Sequence, residues 1–551
     1  MSIAGRITRW MTAAVIAVML FFCAAGAEEP ALRAGCPSRS PETVVSQGRN
    51  LYIPGNWDLS RMTLELGKYE AVRLEKDGPD IRPGEETDLT AYAGGELTLY
   101  NGQGKILTVH LRRGSEIPSL FLTVDSGMLG KIRKNKNMEI PEGRAVYAEA
   151  DGTAAYDGAI TQMKGRGNNT FSYPKKPWQI KLAGKASLSG MAGAKTWVLL
   201  ANWNDVSLLR NQIVLDMCRA AGLRYALGCT PADVWINGEY QGLYLLAEKP
   251  QIKKGRMALR DLEDETEALN TAPMDDSLTM RKASSKELPL MRWYEIENNP
   301  EDITGGYLFT IEKAARFRDY ALPGFRTRDG LNIQIKEPTF PGKEQAEYLG
   351  GLVSEMHRAV IAGDGVHPET GKHYTEYIDM DSFALKYLVE EWCKNYDYIG
   401  GSQYLYKDSD TRDPLIYAGP AWDYDLSFGN MGDRGYSPKG NYITSLSRRP
   451  SSLYWLLSLH GDFMDRVRET WAGRFRPAAA VLLGEKAPGE DSVIRPLDEY
   501  AARIRDSAEM NFIRWGIPGT TVREAGGSFA HACEYLKNWI AARTAFMDGE
   551  Y

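Results

Sequence analysis

Hydrophobic and polar positions follow two rhythms along the chain, and the change of rhythm divides it. Residues 28–115 carry short runs of period two, such as "RMTLELG", "AVRLEKDG" and "ELTLYNGQGKILTVHLRRG", broken at close intervals by Gly, Pro and Asn. Short alternating runs punctuated by turn residues predict a small all-β, sandwich-like module. From "PSLFLTVDSG" onward strands and helices mix, with strands expected at 119–124, 145–149 and 157–163. A polar loop, "KGRGNNTFSYPKK", then leads into the strand "PWQIKL". There Trp178, Ile180 and Leu182 share one face, and Gln179 and Lys181 the other, so Lys181 points away from the apolar layer.

A helix is expected from about Val206 to Ala221, because Leu209, Ile213, Met217 and Ala220 recur at helical spacing, with Asp205 to cap its start and Gly222 its end. "ADVWINGEYQGLYLLAEKP" reads as a hairpin about Asn237-Gly238, and residues 118–250 together form a compact lobe. Residues 251–300 are charged and weakly periodic, which predicts a short helix within a mobile insertion. Residues 301–551 form a second, helix-rich part: strands at "GGYLFTIEK" and "LNIQIKEP", an amphipathic helix at "KEQAEYLGGLVSEMHRAVIAG", and a helix over 381–395. "SSLYWLLSLHGDFMDRVRETWAGRFRPAAAVLL" and "FAHACEYLKNWIAARTAFM" are further helices. The fold class is α+β.

Two acids stand out against this pattern. "QYLYK" and "LIYAG" are the arms of a hairpin, and an antiparallel pair starts and finishes at the same end. Asp397, before the first arm, and Asp423, after the second, are therefore expected to lie close together. In "AGPAWDYDLSFGN", Asp423 and Asp425 sit beside Trp422, Tyr424 and Phe428, where carboxylates partly screened from water need a cation or several donors to stay ionised. Asp425 also suits a helix N-cap or bonds to backbone amides.

Composition narrows the chemistry. At 551 residues and 43% hydrophobic content the chain has material for roughly three domains of about 150 residues each, with real cores. Lys and Arg total 66 against 72 Asp and Glu, and no dense basic run exists, so DNA or RNA is not an expected partner. Arg6 and Arg9, an apolar stretch from Met11 to about Ala24, and Ala25-Gly26-Ala27 read as an export signal over 1–27. Phe22 is bulky where a lipid-attachment signal places a small residue, which argues against lipidation of Cys23. No later run approaches the roughly 20 apolar residues that span a bilayer, so the mature chain is expected to be exported without a membrane span. Cys36, Cys218, Cys229, Cys393 and Cys533 are sparse and lack a C-x-x-C spacing; one bridge, Cys218 with Cys229, is a candidate. The six histidines show no paired spacing, which disfavours a zinc hydrolase.

Six blocks, "MKGRGNNTFSYPKKPWQIKL", "WVLLANWNDVSLLRNQIVLDMCRAAGL", "DVWINGEYQGLYLLAEK", "GGYLFTIEK", "NYDYIGGSQYLYKD" and "AWDYDLSFGN", occur in an order that resembles the spore coat protein H (CotH) kinase family of atypical secreted protein kinases. The resemblance spans roughly residues 118–475 and leaves out the N-terminal β module. It implies a two-lobed, kinase-like fold with ATP and Mg²⁺ or Mn²⁺ in the cleft. The reaction it implies is γ-phosphoryl transfer to Ser or Thr of a secreted, cell-surface or spore-coat protein. By position, Asp397 resembles the catalytic aspartate, and Asp423 the metal-binding aspartate, with Asp425 a second candidate ligand. Lys181 resembles the lysine that holds the α- and β-phosphates. Lys164, Arg166 and Asn168 lie where a loop could meet phosphates. Glu248 and Lys249 resemble the hinge that flanks adenine, and Arg210 and Asn211 fall on the helix that such kinases use to position the lysine. One departure concerns the second metal: where the family tends to place an asparagine, "GGSQYLY" offers Ser402 or Gln403. That departure favours an alternative, a degenerate kinase-fold surface protein acting as a binding or structural module. A glycosidase using Asp397 and Asp423 would explain two nearby carboxylates but neither Lys181 nor the ordered blocks.

Overall fold

The computed structural model describes residues 31–399, 401–430, 436–446, 452–516 and 527–551, so the export signal and Cys23 lie outside the described residues. The period-two runs near the N-terminus form two small sheets. Leu32–Cys36, Ser40–Val45, Met62–Leu66 and Glu86–Thr87 build one, while Asn50–Ile53, Glu96–Asn101 and Gly104–Arg113 build the other. Met62, Leu64 and Leu66 turn inward while Glu65 faces solvent. Their core is not self-contained. It runs from Leu51, Trp57 and Leu111 into Phe121, Val146, Trp235 and Tyr240 of the next sheet. Trp57, Phe121 and Trp235 stack in series with centroid spacings of 5.9 and 5.1 Å.

Residues 119–248 make an eight-stranded sheet. The expected strands appear as Ser119–Val124, Gly143–Ala148 and Ala154–Gly165, and Trp178–Ala186 pairs antiparallel with Ala154–Gly165 on one side and Ala194–Leu200 on the other. Trp178, Ile180 and Leu182 enter an apolar core and Lys181 is exposed on the opposite face. The hairpin Cys229–Ile236/Glu239–Glu248 turns on Asn237 (φ 52°) and Gly238 (φ 81°), the two left-handed positions that a tight two-residue turn requires. Helix Arg210–Ala220 starts later than its periodicity suggests. Asp205 does not sit at its N-cap; it closes the preceding turn, accepting from Ser207 N at 3.0 Å and Arg210 N at 2.9 Å.

A second, seven-stranded sheet runs in the order Met280–Ala283, Leu290–Tyr294, Gly324–Arg326, Asn332–Glu337, Tyr307–Ile311, Gln403–Lys407, Ile416–Ala418. The charged stretch 251–300 thus contributes more than the expected helix, seen here as Leu262–Leu269. Its later part is a hairpin at the edge of this sheet. An edge hairpin solvated on one face buries little, here Met291, and pairs charges across strands, as Arg281 and Glu295 do at 2.8 Å; the apolar alternation is correspondingly faint in the sequence. Helix Met380–Cys393 is capped by Asp379, which accepts from Ser382 N at 2.7 Å, and is ended by Lys394 in the left-handed region. All five cysteines among the described residues are free. Cys218 is locked in the helix core and Cys229 opens a paired strand, so the proposed bridge is not formed. Among the described residues, no helix is long and apolar enough to cross a membrane.

Helix Leu497–Trp515 does not stand out in the sequence, yet it clasps the first sheet and the N-terminal strands together. Ser507 Oγ donates to Asp233 Oδ2 at 2.5 Å and accepts from Ser115 N at 2.8 Å. Asn511 Oδ1 accepts from Leu243 N at 3.2 Å, and Trp515 Nε1 donates to Gln241 O at 2.8 Å. Beneath it lies Lys175, buried, donating to Leu243 O and 4.5 Å above the Tyr244 ring. Burial lowers its pKa to about 7, against the opposing pull of Asp233, whose own pKa burial raises to about 6. Between pH 7 and 9 the unfolded chain therefore carries a proton at this lysine that the native state lacks, so stability rises with pH. The gain relative to Lys175→Met should be up to about 2–3 kcal/mol over those two pH units. Melting curves of the two proteins that run parallel from pH 7 to 9 would contradict this assignment.

Candidate active site

The antiparallel hairpin Gln403–Lys407/Ile416–Ala418, with Leu405 opposite Ala418, returns the chain to the end where it began. Asp397 lies in the short turn Tyr396–Ile399 ahead of the first arm, its N–H bonded to Asn395 Oδ1 at 3.1 Å. Asp423 and Asp425 follow the second arm. Asp423 (φ 72°) and Phe428 (φ 51°) adopt left-handed backbone, which costs of order 1–3 kcal/mol at each and persists only where the surroundings enforce it. They do: Asn211 Oδ1 accepts from Tyr424 N at 2.7 Å, Arg210 Nε donates to Ser427 O at 2.9 Å, and Phe428 N donates to Cys393 O at 2.7 Å. Tyr424 Oη donates to Glu390 at 2.8 Å and accepts from Lys386 Nζ at 2.7 Å. Arg210 and Asn211, on the helix that such kinases use to position the lysine, anchor the loop that carries the acids.

The three acids act on one another. Burial raises the pKa of Asp423, the Asp397 charge raises it further, and Arg166, a hydrogen bond from Ser402 and Arg316 oppose the rise. Asp425 is raised well above the ordinary range by burial and by Asp423, Asp397 and Asp205. No helix starts at Asp425, so it is not an N-cap. Ser402 Oγ lies 3.5 Å from Asp423 Oδ2. Gln403 points the other way: it pairs with Ile311, which faces the core, and its buried amide atoms have no hydrogen-bond partner. Of the two side chains offered for a second metal ligand, only Ser402 faces Asp423.

The facing wall comes from the first sheet. Directly paired residues share a face, so Lys164, Gln179 and Lys181 lie on the same side, continued by Val198 and Ala247. Arg166, one step past the strand end, lays its guanidinium over the Trp422 ring at 5.0 Å; burial lowers its pKa while Asp423 and Tyr404 oppose. Lys249 is lowered by burial, with Glu337 and Glu263 opposing and Lys164 and Arg166 lowering it further, so Lys249 feels the charges of both Lys164 and Arg166. Lys181 is exposed, and the cations acting on Asp423 are Arg166 and Arg316. Glu248 faces away: it sits opposite Trp197, accepts from Gly228 N at 2.9 Å, and pairs with Arg256, which lies 4.6 Å over Trp197. Of the expected hinge pair, Lys249 is the one turned to the site. Asn168, with its amide oxygen toward the guanidinium, accepts from Arg316 Nη2 at 3.2 Å, so the polar loop reaches across to the second sheet.

Several site residues were not singled out in the sequence. Lys313 Nζ lies 3.3 Å from Asp397 Oδ1. Glu312, fully buried, accepts from Thr310 Oγ1 at 3.0 Å and pairs with Arg316 at 3.5 Å and Lys336 at 3.9 Å. Both Glu312 and Lys313 end the block "GGYLFTIEK", where two charges terminating a buried strand were the available signal. A cavity of about 810 Å³ opens elsewhere, between helix Leu497–Trp515 and the last helix; it touches none of these acids and borders residues outside the described set.

Among the described residues no three His, Cys, Asp or Glu side chains gather into a ready-made metal cage. The donor set nevertheless suits a hard divalent cation shared with phosphate, since Mg²⁺ is usually held by one or two carboxylates plus substrate oxygens. Asp423 and Asp425, mutually repelling and raised in pKa, are the residues that would hold it. Comparison with curated proteins gave no match. A family model described as CotH kinase protein matches residues 163–547, from the strand bearing Lys164 through the last helix. That match covers most of the chain and takes in every acid and cation of the site, and the chain therefore belongs to the CotH kinase family.

Proposed function

We propose that this chain is an exported, ATP- and metal-dependent protein kinase with a two-lobed cleft, which moves the γ-phosphoryl group to a Ser or Thr hydroxyl of a secreted, cell-surface or spore-coat protein. The observation that carries this reading is the electrostatic union of Asp397 and Asp423 at the mouth of one hairpin, with Arg166 brought to them from the other sheet. Export rests on the signal-like residues 1–27.

In this reading Lys164, Arg166 and Lys249 attract the polyphosphate. Asp397 accepts a hydrogen bond from the substrate hydroxyl and orients its oxygen in line with the γ-phosphorus. The new O–P bond forms as the bond from the γ-phosphorus to the β–γ bridging oxygen breaks, ADP leaves, and the hydroxyl proton passes to Asp397. Lys313, beside Asp397, compensates the carboxylate charge before transfer. A divalent ion held by Asp423 and Asp425 supplies charge neutralisation at the phosphate oxygens. A second reading, nucleotide binding without transfer, is favoured by Ser402 standing beside Asp423 where the family tends to have asparagine.

Incorporation of radiolabelled phosphate by the purified mature protein should fall at least about 100-fold in Asp397→Ala, the scale of a lost positioned base. Asp423→Ala should fall as far. Equal incorporation in all three proteins would point to a contaminating kinase and remove the proposal. With metal and ATP at about 100 times Kd, native-state binding should add about 2.7 kcal/mol of stability, read as a raised Tm. Asp423→Ala should lose that rise and Asp397→Ala keep it. A rise without any incorporation in the unaltered protein selects the second reading.

A further inference from the structure

Arg316 occupies an unusual place for a structural ion pair. Its partner Glu312 is fully buried, whereas Arg316 retains 30% of its side-chain exposure. Glu312 commits Oε1 to Thr310, with Lys336 3.9 Å away, and its Oε2 has no hydrogen-bond partner, meeting only Arg316 Nε at 3.5 Å. The approach through Nε leaves the two terminal nitrogens of the guanidinium directed elsewhere. Both, Nη2 at 3.2 Å and Nη1 at 3.3 Å, meet the Asn168 amide oxygen of the opposing loop. Nη1 lies beside Gly401, where a β-carbon would stand 3.4 Å from it and where φ is 120°, so the backbone is bare on the side facing the guanidinium. The Arg316 charge reaches Asp423, as does that of Arg166.

We propose that Arg316 is a phosphate-binding residue of the cleft, positioned by Glu312, and that it closes on the nucleotide's phosphates opposite Arg166. This rests on the nucleotide-binding part of the reading above. The two guanidiniums come from different walls: Arg166 lies over the Trp422 ring at the end of the first sheet, and Arg316 stands on the short helix Ala314–Asp319 after a strand of the second. Planar guanidiniums present paired donors that match phosphate oxygens, which a lysine does not reproduce. Glu312 and Lys336 do not touch the phosphates. Glu312 fixes the inner edge of Arg316, and Lys336, half-buried with its pKa lowered to about 8 by burial, helps to balance the Glu312 charge.

The test is calorimetric titration of the mature protein, in Mg²⁺, with inorganic tripolyphosphate, with ATP and with adenosine. Arg316→Ala should bind tripolyphosphate and ATP about ten-fold or more weakly, the scale of a lost charged hydrogen bond, with adenosine unchanged. Arg316→Lys should recover only part of the loss. Glu312→Gln should also weaken tripolyphosphate, and the double variant Glu312→Gln/Arg316→Ala should be no weaker than Arg316→Ala alone, because the glutamate acts only through the arginine. Unchanged tripolyphosphate affinity in Arg316→Ala, or an equal loss for adenosine, overturns the proposal; additive losses in the double variant overturn the positioning role of Glu312. Arg316-dependent ATP binding without phosphoryl transfer would remove the kinase reading and leave the clamp standing, whereas an unaltered protein that binds neither tripolyphosphate nor ATP removes both.

Discussion

Two buried carboxylates in one loop, Asp423 and Asp425, with the Asp397 charge acting on both, cannot both be charged without help, and that loop holds no cation of its own. The compensation comes from outside it: Arg166 from the end of a strand in the first sheet, Arg316 from the helix that follows a strand of the second. The acids are therefore meaningful only together with the cations of two walls, one from each sheet. Anything that separates those walls leaves the carboxylates to repel one another and raises their affinity for protons.

The remainder of the molecule keeps the walls in register. One apolar core runs from Val198, Leu243 and Leu245 of the first sheet through helix Arg210–Ala220 to Phe309, Ile333 and Leu405 of the second. That helix also fastens the acid loop by Asn211 and Arg210, and Tyr424 ties the same loop into the buried Lys386–Glu390 pair. Breaking one partner of such a buried network strands a charge, so the network specifies one arrangement of the loop. Helix Leu497–Trp515 performs a similar service at the far side, joining the N-terminal strands to the first sheet through Ser507 and Asn511.

The acids were legible because their placement depends on chain direction alone: an antiparallel hairpin must bring its two ends together whatever packs around it. The cations were less so. Glu248 and Lys249 are neighbours in sequence, but along a strand one step reverses the face, and pairing with Trp197 turned Glu248 to the outer core. Lys181 sits on the expected face yet is exposed, while Arg166, past the end of the neighbouring strand, is the residue carried in over Trp422. Glu312 and Arg316 belong to a segment whose charges look solvated until the sheet closes over them.

The order of six sequence blocks carried the family resemblance; local pattern by itself determined the two acids flanking the hairpin, the Asn237-Gly238 turn, and most strands and helices to within a few residues, since each of these depends on periodicity or backbone preference over a short stretch. Only the tertiary structure decided that residues 280–294 extend a sheet, that the N-terminal strands share their core with Trp235 and Tyr240, and which cations meet Asp423. Those outcomes depend on groups tens to hundreds of residues apart competing for the same buried volume, and nothing in a local window records which of them arrives.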